Sequence, residues 1–177
     1  YAGGQGIELR HVKSLSCGDS CNQLHISMTN HIGTHVDVPS HFIEGGKTIT
    51  DYLPNEWVFS RCCLIDIPCT PGQIIDANAV HDAQPDIECD FLMIRTGFGK
   101  QRNEACYWQS SPVFHKDLGG YFEDQFKHLS MIGFDTISLS SMTDRIMGRE
   151  AHKEILGRNI RIVEDMKLDQ VVSPIAK

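Results

Sequence analysis

The densest chemistry in the chain is a cluster of three imidazoles and one carboxylate within eleven positions. Its members are His31, His35, Asp37 and His41. Apolar residues are interleaved with them, so burial of this segment would leave polar groups without partners unless a cation satisfied them. The cluster therefore predicts a metal or catalytic site. Isolated histidines are more often surface or satisfied core residues, and we expect that of His11, His25, His81, His115 and His128.

The residue types of this segment predict an extended or looped backbone. Gly33, the β-branched Thr34 and Pro39 all argue against a helix. In an extended chain alternate residues share a side, so His35 and Asp37 can converge on one point. Gly33 and Pro39 are placed to bend the two outer histidines back toward that point. Three or four ligands from one short loop are then geometrically possible.

A second fragment near the end of the chain carries a histidine and a glutamate. The alternation in residues 159–166 predicts a strand with Glu164 on its apolar side, where a carboxylate is costly unless a cation or metal pairs with it. Residues 149–156 predict a short helix that Gly157 would end, and this helix carries His152. The two side chains could meet. Taken alone, however, the fragment fits a surface histidine and a strand-end glutamate paired with Lys or Arg better.

Residues 31–42 read His-x-Gly-Thr-His-x-Asp-x-Pro-x-His-Phe. This motif resembles the signature of the metal-dependent cyclase-like amidohydrolases, which include bacterial kynurenine formamidase and isatin hydrolase. Residues 44–49, 95–97 and 133–138 resemble further landmarks of that family, namely a glycine-containing turn, an Arg-Thr-Gly strand end and a Gly-x-Asp-Thr-x-Ser stretch. The stretch from His152 to Glu164 resembles the family's C-terminal ligand pair.

The resemblance implies a set of five metal ligands: His31, His35, Asp37, His152 and Glu164. The first three would hold one ion, and Asp37 could bridge to a second ion held by the last two. His41 would be the general acid/base and not a ligand. Imidazoles and carboxylates suit Zn²⁺ or Mn²⁺, one or two ions per chain, and no cysteine falls in a ligand pattern such as Cys-x-x-Cys.

Periodicity predicts an α/β fold with a mixed β-sheet and flanking helices, and the resemblance implies the cyclase-like, swivelling β/β/α type. We expect strands at 24–28, 62–67, 91–96, 131–139 and 159–163, a helix at 76–81 capped by Asp76, and one helical face between 122 and 129. Residues 97–112 form a long irregular stretch that we place near the pocket. Residues 1–177 are expected to be one domain, from which the family's N-terminal strand is missing.

The expected function is hydrolysis of a carbon-nitrogen amide bond in a small N-formyl aryl amine or cyclic amide, as in kynurenine formamidase, by water that the metal activates. Trp57, Trp108 or Phe42 could stack on an aromatic substrate. Two alternatives stay open. One is a lactone or cyclic-imide hydrolase of the same family, and the other is a cyclase-like protein that binds metal or a metabolite without turnover.

Composition restricts the partners. The 177 residues are 41% hydrophobic and 22% charged, which fits a globular domain with a sizeable core. A net charge of -7 without a Lys/Arg-rich run argues against nucleic acid, and no apolar stretch is long enough to span a membrane. The seven cysteines suggest reduced thiols, with cytoplasm as the expected compartment. The family resemblance and an exposed sheet edge predict a homo-oligomer, most simply a dimer.

Overall fold

The structure is a computed structural model, and it describes residues 6–172. Its strands, in chain order, are β1 (Glu8–Lys13), β2 (Gln23–Ser27), β3 (His35–Asp37), β4 (Cys62–Asp66), β5 (Ile74–Ile75), β6 (Phe91–Arg95), β7 (Val113–Phe114), β8 (Met131–Phe134) and β9 (Arg161–Glu164). The α-helices are α1 (Ala77–Asp82), α2 (Cys106–Gln109), α3 (Asp117–Gln125) and α4 (Arg145–Gly157). Short 3-10 helices span Leu15–Cys17, Pro39–His41, Ile49–Asp51, Pro54–Trp57 and Phe98–Gln101.

Five of these strands form the central sheet, in the order β3-β9-β8-β6-β4. The pairs β4–β6, β6–β8 and β8–β9 are parallel, whereas β3 pairs with β9 in the antiparallel direction. The sheet is therefore mixed, as the sequence predicts. Parallel neighbours require crossover connections, and the helices that lie between the strands supply them. Smaller two-stranded sheets, β1-β2 and β5-β7, complete the fold.

The hydrophobic core lies between the central sheet and the helices α3 and α4. Leu118 and Phe122 stand four residues apart on α3, and Ala151 and Ile155 do the same on α4, so each helix turns one apolar stripe inward. All four side chains are fully buried. On the sheet side the core continues through fully buried residues of β6 and β8, among them Leu92, Ile94, Ile132 and Phe134.

Helix boundaries follow capping side chains. Asp76 accepts a hydrogen bond from the Ala79 amide (2.9 Å) and caps α1, as predicted. Asp144 does the same for α4 through the Met147 amide (2.9 Å), so this helix begins four residues before the predicted start. The helical face expected between 122 and 129 was too long, because α3 ends at Gln125 and the chain turns extended at Phe126.

The strand expected at 131–139 was also too long. It ends at Phe134 because the next residue, Asp135, turns its carboxylate toward the end of β6. Asp135 accepts hydrogen bonds from the Thr96 amide (2.7 Å), the Thr96 hydroxyl (2.6 Å) and the Gly97 amide (3.0 Å). These contacts tie together the loops that leave β6 and β8.

The hairpin β1-β2 is exposed along its whole length, and every residue of both strands is accessible to solvent. Only β2 was expected from the sequence. Leu9 pairs with Ile26 across the hairpin, and both side chains are exposed. Association into a homo-oligomer stays a prediction. No helix among residues 6–172 is long and apolar enough to cross a membrane.

Asp135 generates a stability prediction. Asp135→Ala removes the acceptor of four donors, the fourth being the Gly99 amide (3.4 Å), at a site where the aspartate is only 2% exposed. Buried donors that lose their partner are expensive, so the free energy of unfolding should fall by about 2 to 4 kcal/mol in urea titrations. The matched control is Asp66→Ala. Asp66 pairs with Arg95 (2.6 Å) but is 57% exposed, and its loss should lower that free energy by about 1 kcal/mol or less. An equal loss of unfolding free energy in the two variants would contradict the structural role given to Asp135.

Candidate metal centre

Strand β3 supplies the first two groups of the site. His35 and Asp37 are separated by one residue of an extended strand, so both side chains leave the same side of the sheet. Antiparallel pairing places His35 directly opposite Glu164, the last residue of β9. This register brings a carboxylate from the far end of the chain next to the histidine cluster.

The outer histidines reach the same point through turns at either end of β3. Gly33 has a φ of +65°, a left-handed backbone conformation that favours glycine, and Pro39 opens the 3-10 helix that carries His41. As a result His31 Nδ1 lies 2.9 Å from His35 Nε2 and 3.3 Å from Asp37 Oδ1. The extended or looped backbone expected from the sequence is confirmed for this segment.

Helix α4 brings His152 to the opposite side of the centre. Its Nε2 atom lies 3.1 Å from Glu164 Oε1 and 3.8 Å from Asp37 Oδ2. His35 Nε2 lies 3.5 Å from Glu164 Oε2. The structure therefore gathers the five residues expected to bind metal around one point, although they come from segments more than a hundred residues apart.

The hydrogen bonds of two rings fix which nitrogen faces the centre. His35 Nδ1 lies 2.8 Å from the Gly33 carbonyl, and His152 Nδ1 lies 2.7 Å from the Gly148 carbonyl. Because a carbonyl can only accept, each Nδ1 carries a proton and each ring turns its Nε2 atom inward, where it could donate to a carboxylate when protonated or bind a metal when neutral. These two Nε2 atoms face the oxygens of Asp37 and Glu164, which can only accept when they are ionised.

Nitrogen and oxygen acceptors that face one another at 3 to 4 Å repel unless a proton or a cation lies between them. One of these oxygens, Asp37 Oδ2, is buried and has no hydrogen-bond partner among the described residues. Imidazole nitrogens and carboxylate oxygens are ligands that Zn²⁺ and Mn²⁺ accept. The residues present thus fit a divalent metal, in two overlapping triads that share Asp37: His31, Asp37 and His41, and His35, Asp37 and Glu164.

Burial and charge shift the ionisation of the centre. Desolvation, followed by the charge of Glu164, raises the pKa of Asp37 to about 6. Desolvation raises the pKa of Glu164 as well, but the His152 ring and the Leu139 amide outweigh it and the pKa is lowered. Desolvation and the neighbouring His31 lower the pKa of His41 to about 4. In the metal-free protein His41 is therefore neutral at pH 7, and its ring is a weak base.

His41 stands at the boundary between this centre and a pocket. Its Nε2 atom lies 3.7 Å from Asp37 Oδ2, its side chain is 33% exposed, and its ring contacts Phe42 with 4.4 Å between centroids. The pocket has a volume of about 600 Å³ and opens above the metal ligands. Phe42, Trp108 and Ile137 form apolar parts of its wall, while Arg145 and Arg149 of α4 form a charged part.

The sequence matches the model of the Cyclase family ("Putative cyclase") over residues 7–141. This chain belongs to the Cyclase family. A kynurenine formamidase from Bordetella avium is 30% identical over 156 residues, which is 85% of this chain and 68% of that protein. One from Bacillus cereus is 27% identical over 159 residues, with coverage of 86% and 68%.

Solved structures agree on the fold. Isatin hydrolase A from Ralstonia solanacearum superposes with a TM-score of 0.78 at 15% identity, covering 96% of this chain and 72% of that one. A protein described as a potential metal-dependent hydrolase with cyclase activity gives a TM-score of 0.70 at 21% identity, with coverage of 94% and 74%. The expected family and the cyclase-like α/β fold are confirmed. The role of each ligand stays a prediction.

One supporting cluster of this Cyclase-family centre escaped sequence reasoning. Asp165 follows Glu164 and has a φ of +59°, which is unusual for a residue with a side chain. Its carbonyl accepts from the Thr34 hydroxyl (2.7 Å) and from Arg102 (2.9 Å), and its carboxylate binds Arg102 (2.7 Å) and the Tyr107 hydroxyl. These contacts hold the turn after Glu164 against the loop between His31 and His35.

The stretch 97–112 therefore lies beside the site, as expected, but it is more regular than the sequence suggested. It contains the 3-10 helix Phe98–Gln101 and α2, and Trp108 of α2 lines the pocket. Trp57 does not line it. The Arg161 guanidinium lies 4.7 Å from the Trp57 ring centroid, and the ring contacts Tyr52, so the expected stacking role for Trp57 is wrong.

The first prediction for the centre concerns metal content. His35→Ala and Glu164→Gln each remove a proposed ligand, and both should weaken metal binding by at least about tenfold, because even groups that only orient a ligand are worth that much. Mass spectrometry of the dialysed protein measures the bound metal. His128→Ala is the control, since this histidine is 62% exposed and pairs only with Glu88. Full metal occupancy in Glu164→Gln would remove Glu164 from the site.

The second prediction concerns pH. In the metal-free protein the pKa of Asp37 is raised from 3.8 to about 6, so its stabilising contribution is complete below pH 3.8 and is lost as pH rises through 6. That shift corresponds to about 3 kcal/mol at pH 8. Asp37→Asn cannot ionise and should therefore gain about that much over the parent between pH 4 and pH 8, measured by urea unfolding with a chelator present. A stability difference that does not change with pH would refute the raised pKa.

Proposed function

We propose that this Cyclase-family member is a metal-dependent hydrolase that cleaves a carbon-nitrogen amide bond in a small N-formyl aryl amine or a cyclic amide. The observation that carries the proposal is the convergence of five ligand-type side chains on one buried point, with the imidazole of His41 between that point and the pocket. The kynurenine formamidase and isatin hydrolase relatives support the reaction class.

The metal would be Zn²⁺ or Mn²⁺. We assign one ion to His31, His35 and Asp37, and allow a second ion that His152 and Glu164 would share with Asp37. Such an ion supplies Lewis-acid polarisation of a carbonyl and lowers the pKa of a water molecule toward 7. The protein supplies the geometry: the Gly33 and Gly148 carbonyls hold two rings so that their Nε2 atoms point inward.

His41 is proposed as the proton carrier. Its ring lines the pocket, is a third exposed and lies 3.7 Å from Asp37 Oδ2, so it is placed to take a proton from the attacking water and pass it to the leaving nitrogen. The water oxygen then bonds to the carbonyl carbon, the carbon-nitrogen bond breaks, and the nitrogen leaves protonated. A lactone would be opened by the same attack, and this is the alternative substrate class.

The walls of the pocket favour an aromatic substrate. Phe42 and Trp108 both line it, and Phe42 also stacks on His152 with ring centroids 4.4 Å apart. A flat ring bound between such side chains places a substituent amide close to the metal ligands. Assembly as a homodimer and a cytoplasmic location remain proposals beside this one, as does the extent of the domain over residues 1–177.

A protein that binds metal or a metabolite without turnover is the competing function. Such a protein would need no proton carrier at His41. The triad with His31 and Asp37 would then make His41 a metal ligand instead. The two roles make different predictions for the same substitution, and they can be separated by measuring metal and rate together.

His41→Ala should keep the metal content of the parent, while turnover of formanilide or of an isatin-like lactam falls by roughly two to four orders of magnitude. The reason is that a proton carrier acts on the barrier and not on the ion. His35→Ala is the comparison, because it should lose metal and rate together. Loss of metal in His41→Ala would identify His41 as a ligand. A rate equal to that of the parent would show that His41 does not carry the proton.

A further inference from the structure

Two arginines reach the pocket from the same face of α4 that carries His152. Arg145, Arg149 and His152 occupy positions i, i+4 and i+7 of the helix, and all three line the pocket. Residues with this spacing lie above one another on a helix. The face that begins at the metal ligand therefore continues outward as two guanidinium groups.

Neither guanidinium has a carboxylate partner among residues 6–172. Four other arginines are paired with carboxylates: Arg61 with Asp86, Arg95 with Asp66, Arg102 with Asp165, and Arg158 with Glu123 and Glu154. Arg161 is buried and bonds backbone carbonyls instead. Arg145 and Arg149 are exposed at the pocket instead. Ser140 and Ser141, which stand beside them in the wall, add hydroxyl groups and no negative charge.

These two guanidinium groups line a pocket in a chain whose net charge is -7. The overall charge repels an anion, so an anionic ligand needs a local positive group to be held. A guanidinium presents parallel N–H donors that match the two oxygens of a carboxylate, and this fork makes arginine the preferred residue for planar anions.

The helix also sets a length. With a rise of about 1.5 Å per residue, Arg149 lies about 4.5 Å and Arg145 about 10 Å along the axis from His152. One benzene ring spans a separation of this kind between two substituents. An amide held at the metal ligands would thus place a group on the far side of the ring within reach of Arg149.

We propose that the substrate carries a carboxylate on the side away from the scissile amide, and that Arg149, assisted by Arg145, binds it. The inference rests on the proposed hydrolase function and adds the chemical class of the substrate to it. Arg145 and Arg149 are then residues that determine specificity, whereas the metal ligands and His41 would treat charged and uncharged amides alike.

The test compares 4-formamidobenzoate with 4-formamidobenzamide, which have the same shape and differ in charge. On the metal-loaded parent, kcat/KM should favour the carboxylate. In Arg149→Gln this preference should fall roughly tenfold through KM, with the carboxamide unchanged, and the double variant with Arg145→Gln should abolish it. Lys153→Gln is the matched control, because Lys153 is exposed on the same helix, carries the same charge and does not line the pocket.

Calorimetric binding of the same two compounds to the metal-loaded protein separates this inference from the proposed function. If neither compound is hydrolysed, the proposed function fails, while tighter binding of the carboxylate that Arg149→Gln removes and Lys153→Gln keeps still supports the arginine subsite. Equal affinity of the parent for both compounds overturns the inference. A preference for the carboxylate that survives in the double variant, with metal content unchanged, overturns it as well.

Discussion

Two carboxylates, Asp37 and Glu164, are buried side by side among imidazole rings, and this concentration of buried ionisable groups governs the rest of the structure. Both residues are less than 5% exposed, and Asp37 Oδ2 has no hydrogen-bond partner in the described part of the chain. A buried carboxylate without a counter-charge is costly, so the metal-free protein holds a charge that a cation would compensate. Burial and the charge of Glu164 raise the pKa of Asp37, because protonation removes the unfavourable negative charge. A proton and a metal ion would therefore compete for the same position beside Asp37.

The sheet makes this concentration possible because its strands hold the charged groups where side chains alone would move apart. β3 lies at the edge and runs antiparallel to β9, so the register fixes His35 against Glu164. Next to it, the parallel strands β9, β8 and β6 end at one edge of the sheet, and their carboxyl ends release the loops that surround the pocket. Asp135 joins the loops after β6 and β8, and Asp165 joins the turn after β9 to Thr34. The same edge thus provides both the rigid ligands and the variable wall.

Sequence alone could predict the groups whose geometry is local. The spacing of His31, His35, Asp37 and His41 is decided by a short strand and two turns, and the structure has that conformation. The meeting of His152 with Glu164 is different in kind. It depends on the order of β8 and β9 and on the close approach of α4 to residue 140. A Cβ on Gly148 would lie 2.2 Å from Ser140 Oγ, so only glycine admits this contact.

The sequence did not predict the residues that support the site by holding another residue in place. Nothing in the pattern around Asp165 announces its positive φ, because the conformation is imposed by Arg102, Tyr107 and Thr34 from other segments. The prediction that Trp57 could stack on a substrate was wrong because its ring is covered by Arg161 of β9. This contact exists only after the sheet has formed. The early start of α4 was predictable in principle, since Asp144 is a good N-cap residue. That boundary matters, because it places Arg145 inside the helix.

The residues of the candidate metal centre and those of the pocket wall belong to different parts of the fold. The proposed metal ligands are held by strand register and by carbonyls of the backbone, so their positions are determined by the fold and change little with the character of the pocket wall. The wall is made by residues after β8, by α2 and by the first turns of α4, where a side chain can change without disturbing the sheet. A centre with the proposed chemistry would act on any carbonyl that reaches it, so selectivity would have to come from the exclusion or capture of substrates at this wall. In a chain of net negative charge, two arginines in the wall that have no carboxylate partner among residues 6–172 are the feature best suited to such a choice.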